Sequence, residues 1–168
     1  DENTGAMLRN NMIRENSFRI MDQLNTIENT SVATMSQLTF VMNQFAAQAT
    51  LAGESIAGMA AMSAVLIESG EEQGKAGRAL RMIYARLGAD TAGARKAIEE
   101  LGIAVIDSQT GAMRPLSEIL VDLQDQYQGM TGMQKQNLAQ TIAGNVHYTR
   151  LIKLLEGTNR MQELHTDA

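Results

Sequence analysis

The chain is 168 residues long, about one domain's worth, and its 44% apolar and 20% charged residues supply a core and exclude intrinsic disorder. The absence of cysteine excludes disulfides, zinc-thiolate and iron–sulfur sites and a thiol nucleophile; with no tryptophan, three Tyr, three Phe and twelve Met, the core must be aliphatic and Met-rich. A net charge of −5, from 14 Lys and Arg against 19 Asp and Glu, gives no general electrostatic reason to bind nucleic acid. The single proline, Pro115, leaves long helices unobstructed, so the expected fold class is mainly α. Residues 4–12 lack the long apolar run and small-residue cleavage site of a secretory signal, and the sequence is expected to be a segment of a longer chain.

Residues 13–45 carry a coiled-coil-like seam. Alternating steps of four and three give Ile13, Ser17, Ile20, Leu24, Ile27, Ser31, Thr34, Leu38, Val41 and Phe45, with a β-branched residue recurring in every heptad. The expected oligomer seam is Ile13, Ile20, Leu24, Ile27, Leu38, Val41 and Phe45, in one long N-terminal helix of about 50 Å. Ser31 and Thr34 form a polar layer that weakens the seam and fixes register. By itself the stripe fits either self-association or an amphipathic helix packed on its own chain. Residues 29–67, overlapping it, carry a single charge, Glu54. The window 45–67 nevertheless contains Gln48, Thr50, Glu54, Ser55 and Ser63, and the apolar run 56–66 is too short and contains Gly58 and Ser63, so no resident transmembrane helix is read there.

From residue 69 the texture changes to short helices punctuated by glycine. Ser69-Gly70-Glu71-Glu72 has capping-box spacing, and a helix over 76–87 places Leu80, Ile83, Tyr84 and Leu87 on one face, with Gly88 beyond its end. Thr91 is the expected cap of a helix through Lys96 to Leu101, ended by Gly102. Ile103-Ala104-Val105-Ile106-Asp107, the turn Ser108-Gln109-Thr110-Gly111 and Ala112-Met113-Arg114 predict a short β-hairpin near 103–114. Pro115 suits the first turn of a helix carrying Leu116, Ile119, Leu120 and Leu123. Thr131 and Gln134 form another capping box, for a helix through Leu138 and Ile142 to Gly144; Val146, Leu151, Leu154 and Leu155 define a last helix before Gly157. The expected organisation is a charge-poor, self-associating helical stem, 1–68, and a small helical domain, 69–168. The expected core of the latter is Leu80, Ile83, Leu87, Leu101, Ile103, Val105, Leu116, Ile119, Leu120, Leu123, Leu151 and Leu155.

Catalysis has little to stand on, and no catalytic, cofactor or metal residue is assigned. His147 and His165 lie 18 apart without metal-ligand spacing, and His147 beside Tyr148 reads as a packed or surface residue. The adjacent pairs Glu71–Glu72 and Glu99–Glu100 point to different sides of a helix and read as helix-dipole complements and solvated faces. Nucleophile-elbow, P-loop and dinucleotide motifs are absent. Lys75, Arg78, Arg81 and Arg86 make one basic helix, with Arg78 and Arg81 expected to pair with Glu71 and Glu72; without interleaved aromatics it does not read as a nucleic-acid surface.

One ordered series is more specific than any of its parts. It runs Gly74-Lys75-Ala76-Gly77-Arg78-Ala79-Leu80, then Arg86-Leu87-Gly88, Ala97-Ile98-Glu99-Glu100-Leu101-Gly102-Ile103, Val105-Ile106-Asp107-Ser108-Gln109-Thr110-Gly111 and Pro115-Leu116-Ser117-Glu118-Ile119-Leu120. A helix pair through Ala143-Gly144 and Leu151 to Leu155 follows. This series, over about residues 69–157, resembles the core region of phage tail tape measure proteins; residues 1–68 match only in character. The resemblance implies a non-enzymatic structural protein of a virion, in the tail tube lumen near the tail tip, that templates tube assembly and length and leaves during genome ejection. The implied partners are further copies of itself, as a homotrimer, the tail tube protein, the distal tail protein or baseplate hub, and tail chaperones during assembly. No cofactor and no specific nucleic acid are implied. Host membrane contact on infection, or a membrane-active segment, is the alternative motivated by the charge-poor stretch.

Overall fold

The computed structural model describes residues 2–89 and 93–168, with side chains from Gly5 onward. Among them lie nine helices: α1 (Glu2–Thr30), α2 (Met35–Leu51), α3 (Ile56–Glu68), α4 (Gln73–Gly88), α5 (Ala94–Glu99), α6 (Leu116–Gln128), α7 (Gly132–Ala143), α8 (Tyr148–Glu156) and α9 (Thr158–Asp167). The expected cap Thr91 lies outside the described residues.

The last part of the charge-poor stretch, from residue 56 to 67, is explained by α3. Every residue from Ala57 to Leu66 is buried, because α1, α2, α4, α6, α8 and α9 all touch this helix. A helix enclosed on every side has no solvated face on which to carry charge. A neighbour approaches it closely where it is itself glycine: a Cβ on Gly157, the N-cap of α9, would meet Val65 Cγ1 at 2.5 Å. Around α3 the buried side chains form one continuous cluster, from Leu24 in α1 to Leu164 in α9.

The one charge in that stretch, Glu54, is also buried and sits just before the N-cap Ser55 of α3. Its Oε2 accepts the Tyr84 hydroxyl at 3.0 Å and the Ser117 N–H at 3.0 Å, while Oε1 accepts the Ser117 hydroxyl at 2.7 Å. The Tyr84 oxygen in turn accepts the Leu116 N–H at 3.3 Å. α6 begins after Pro115, which has no side-chain oxygen to cap it, so its free N–H groups find their acceptors on α4 and on the residue preceding α3. The positive ends of two helix dipoles meet at this carboxylate. Burial, and then the neighbouring Glu54 charge, push the Tyr84 phenol far above its usual value, so it remains a donor. Phe45 of α2 stacks on the Tyr84 ring, centroids 6.0 Å apart, and links α2 to the same centre.

The expected seam does not run through one helix. α1 stops at Thr30, and Thr34 is the N-cap of α2 in a full capping box with Gln37. Ser31 and Thr34 therefore make a turn and not a polar layer within a coiled coil. Ser31 Oγ accepts the Ala33 N–H at 3.2 Å, and Glu28 Oε1 accepts the Met35 N–H at 2.7 Å, satisfying donors that the break frees.

The expected β-hairpin is not present: no strand forms among the described residues. Between α5 and α6 there is a single antiparallel bridge, Ile106 to Met113, flanked by Asp107 N–H to Ala112 O and Arg114 N–H to Val105 O, each 2.8 Å. The turn is held as expected of its sequence, with Asp107 Oδ1 accepting the Gln109 and Thr110 N–H groups. Pairing does not extend: the next donor in register, Leu116 N–H, goes to the Tyr84 hydroxyl as α6 begins, and Gly102, at φ +81°, turns the first arm back into α5. Ile103 and Val105 are buried in the helical core instead of facing a partner strand.

The Ser69–Glu72 capping box is likewise absent. Ser69 closes α3, its hydroxyl donating to Leu66 O at 2.7 Å, and α4 starts from Glu72 without a side-chain cap. The box at Thr131 and Gln134 is present as the spacing requires. α9 lies beyond the last helix that the sequence pattern marks. Replacing Glu54 by Ala would strand the Tyr84 hydroxyl and both Ser117 donors, and should cost about 3–5 kcal/mol in urea unfolding, against about 1–2 kcal/mol for Tyr84→Phe. Equal, small losses in the two variants would show that the carboxylate does not organise these helices.

Candidate assembly surface

The expected seam residues divide sharply. Leu24, Ile27, Leu38, Val41 and Phe45 are buried within the chain's own core, and Ile20 is half-buried against it. Ile13 is 62% exposed. Indeed every residue from 6 to 19 is exposed, although this stretch carries Met7, Leu8, Met12, Ile13 and Phe18. These side chains do not lie on one stripe. At 100° per residue Ile13 continues the line of Ile20 and Leu24, Met7 and Phe18 share a second side, and Leu8 and Met12 a third. A helix of about four turns with apolar residues on three sides and no neighbour is marginal in water.

The rest of α1 is anchored. Arg160 of α9 donates Nε and Nη2 to the two oxygens of Glu68, at 3.1 and 3.0 Å, and Nη2 also reaches the Thr30 carbonyl. The Glu68 hydrogen bond, outweighing burial, strengthens the hold on the Arg160 proton. Arginines satisfy other helix ends in the same way: Arg86 donates to Thr141 and Ile142 carbonyls of α7, and Arg95 to Leu87 and Gly88 of α4. Arg86 is thus part of the packing and not of a basic face.

Glu71 does not pair with Arg78 or Arg81. It binds Lys153 at 2.6 Å and Arg150 at 3.1 Å, both from α8, and Glu72 lies 3.8 Å from Lys75. Burial works against charge on Glu71, but the hydrogen bonds and charges of Lys153 and Arg150 outweigh it and hold the carboxyl below its usual range. Glu99 and Glu100 are exposed at the C-terminal end of α5. His147 is half-buried in the turn before α8; burial, then the Arg150 and Arg78 charges, lower its imidazole. Its Nδ1 is the one buried side-chain polar atom without a partner among the described residues. His165 Nε2 lies 3.2 Å from Ser55 Oγ, far along the chain from His147. No group of three or more metal-ligating side chains occurs among the described residues. No described helix is long and apolar enough to cross a membrane.

The expected core residues of the second region lie inside: Leu80, Ile83, Leu87, Ile103, Val105, Leu116, Ile119, Leu120, Leu123, Leu151 and Leu155 are buried, and Leu101 is half-buried. Val146, grouped with the last helix by its pattern, is exposed in the preceding turn.

Over residues 2–144 the sequence matches the family model described as phage-related minor tail protein, which is well over half of the chain. The chain belongs to that family. Membership gives it a structural role in a phage tail and a place in the tail of the virion. The matched region of this minor tail protein takes in α1 through α7, so it includes the exposed part of α1 and the Glu54 centre, and it ends at Gly144. No solved structure matches the chain.

The Glu71 cluster has a pH signature. A carboxyl lowered on folding stabilises fully above its unfolded value, 4.5, and that stability is lost as pH falls from there through the lowered folded value. Glu71→Gln should therefore unfold about 2 kcal/mol more easily at pH 7 and show a flatter acid limb than the parent. Parallel curves from pH 7 to pH 3 would contradict the pairing.

Proposed function

We propose that this tail protein is a segment of a tape measure protein, lying in the tail tube lumen near the tip, templating tube assembly and length, and released as the genome leaves. The observation that carries the reading is the exposed stretch 6–19, a helix with apolar side chains on three sides and no partner within the chain. Copies running side by side, three in the arrangement the resemblance implies, would enclose it, with Ile13 and Ile20 continuing the face that Leu24 and Ile27 bury internally. The tube protein would surround such a bundle, with the distal tail protein or baseplate hub at its end and chaperones holding it before assembly. The role is non-enzymatic and calls for no cofactor and no specific nucleic acid.

The test is tail length. Whole heptads inserted within the exposed stretch of α1, in the phage gene, should lengthen the tail by about 1.5 Å per residue. The same insertion with Ile13→Asp, which places a charge at an exposed position of the monomer, should lose length control without unfolding the chain. Tails of unchanged length after insertion would contradict the tape measure reading.

A further inference from the structure

Every junction between consecutive described helices contains a glycine, with one exception. Gly53, Gly70, Gly93, Gly102, Gly129, Gly144 and Gly157 mark the others. Five of these hold φ between +73° and +87°, a conformation that side chains rarely adopt, so those bends are written into the backbone. Residues 31–34, between α1 and α2, are Ser31-Val32-Ala33-Thr34, with neither glycine nor proline. Nothing covalent prevents them from being helical. Their bend is held by side chains: the Thr34–Gln37 box, Glu28 on the Met35 N–H, Ser31 on the Ala33 N–H, and Arg160 on the Thr30 carbonyl.

Two further observations bear on this junction. The steps of four and three pass through it without a slip, from Ile27 through Ser31 and Thr34 to Leu38, so a helix across it would carry one unbroken stripe. The two arms are also unequally tied. α2 lies along α4 and is linked by the Phe45–Tyr84 stack to the Glu54 centre, whereas among the described residues α1 is held in its C-terminal part, by Ile20, Leu24 and Ile27 and by Arg160.

We propose that residues 31–34 are the hinge of an arm exchange: they become helical, joining α1 and α2 into one helix from Glu2 to Leu51, and α1 docks on α3 and α9 of a second copy of this chain. The occupant follows from the face that is vacated, which is shaped for Leu24 and Ile27 of α1 itself. Exchange reburies the same side chains between copies and replaces the turn's caps with helical hydrogen bonds, so the free-energy difference is small and concentration decides the outcome. The exchange rests on the fold alone and is independent of the tape measure reading.

The chain has no cysteine, so introduced cysteines are unique labelling sites. Nitroxides on Asn16→Cys and Asn43→Cys, both exposed, would stand about 40 Å apart in one continuous helix, and closer across any bend. On concentrating the protein, a population near 40 Å should grow together with species heavier than the monomer in sedimentation. Equimolar mixing of chain labelled at Asn29→Cys with chain labelled at Glu163→Cys should give a short distance between copies. Ser31→Ala with Thr34→Ala, which removes the cap, should raise the exchanged fraction severalfold; Ser31→Gly with Val32→Gly, which opposes helix, should lower it about twofold per glycine. A heavier species that keeps the bent distance, a long distance at monomer mass, no exchange at any concentration, or no response to either hinge variant would each overturn the proposal.

Discussion

Glu54 is the point on which the arrangement of the helices depends. A carboxylate removed from water costs several kcal/mol unless donors surround it, and here three donors from two other helices do so. Those donors have few alternatives. Ser117 N–H is one of the free groups at the start of α6, and Pro115 before it offers no cap. Tyr84 is buried and must donate somewhere. Satisfying all of them at once fixes α4, α6 and the start of α3 relative to one another, and Phe45 on the Tyr84 ring adds α2. A Cβ on Gly58 would collide with the Glu54 carboxylate, so the first turn of α3 is glycine where the acid folds back over it.

From that centre the remaining features follow. With α3 enclosed, its buried residues, 57–66, are uncharged, and the arginines of its surroundings are turned to closing helix ends. Arg86, Arg95 and Arg160 each reach a carbonyl at the C-terminus of a different helix, where the partial negative charge of the dipole favours a cation. Glu68 and Glu71, at either side of the turn after α3, bring in α9 and α8. What this body does not cover is the N-terminal half of α1. The family gives the chain its place in a phage tail, and the half-helix leaves Met7, Leu8, Met12, Ile13 and Phe18 exposed.

Much of the second region could be read from the sequence, because its signals are local. Leu80, Ile83 and Leu87 repeat at helical spacing, Pro115 marks a helix start, and Thr131 with Gln134 forms the box that their spacing announces. The first region was harder. Thr34-Met35-Ser36-Gln37 contains the same Thr-to-Gln spacing, yet the apolar stepping on either side, which continues in phase, points to one helix. Periodicity reports which residues share a face and not whether the backbone is continuous. Glu54 reads as an interruption of an apolar run because its two partner residues, Tyr84 and Ser117, lie 30 and 63 residues away. The hairpin signal is real at its turn, but pairing stops at one bridge because the next donor, Leu116 N–H, is taken by the Tyr84 hydroxyl at the start of α6. α9 is polar on average and packs through Thr158, Met161 and Leu164, too few apolar residues to announce a helix.

The central claim is that one folded body, organised by the buried acid beside α3, carries a half-helix that finds no burial within the chain. Native-state hydrogen exchange of the dilute monomer tests it residue by residue. The expected result is that amides of α3 exchange only through global unfolding, while those of residues 6–19 exchange orders of magnitude faster, as in an unsupported helix. Equal protection in the two segments, or exchange of α3 by local opening, would contradict it.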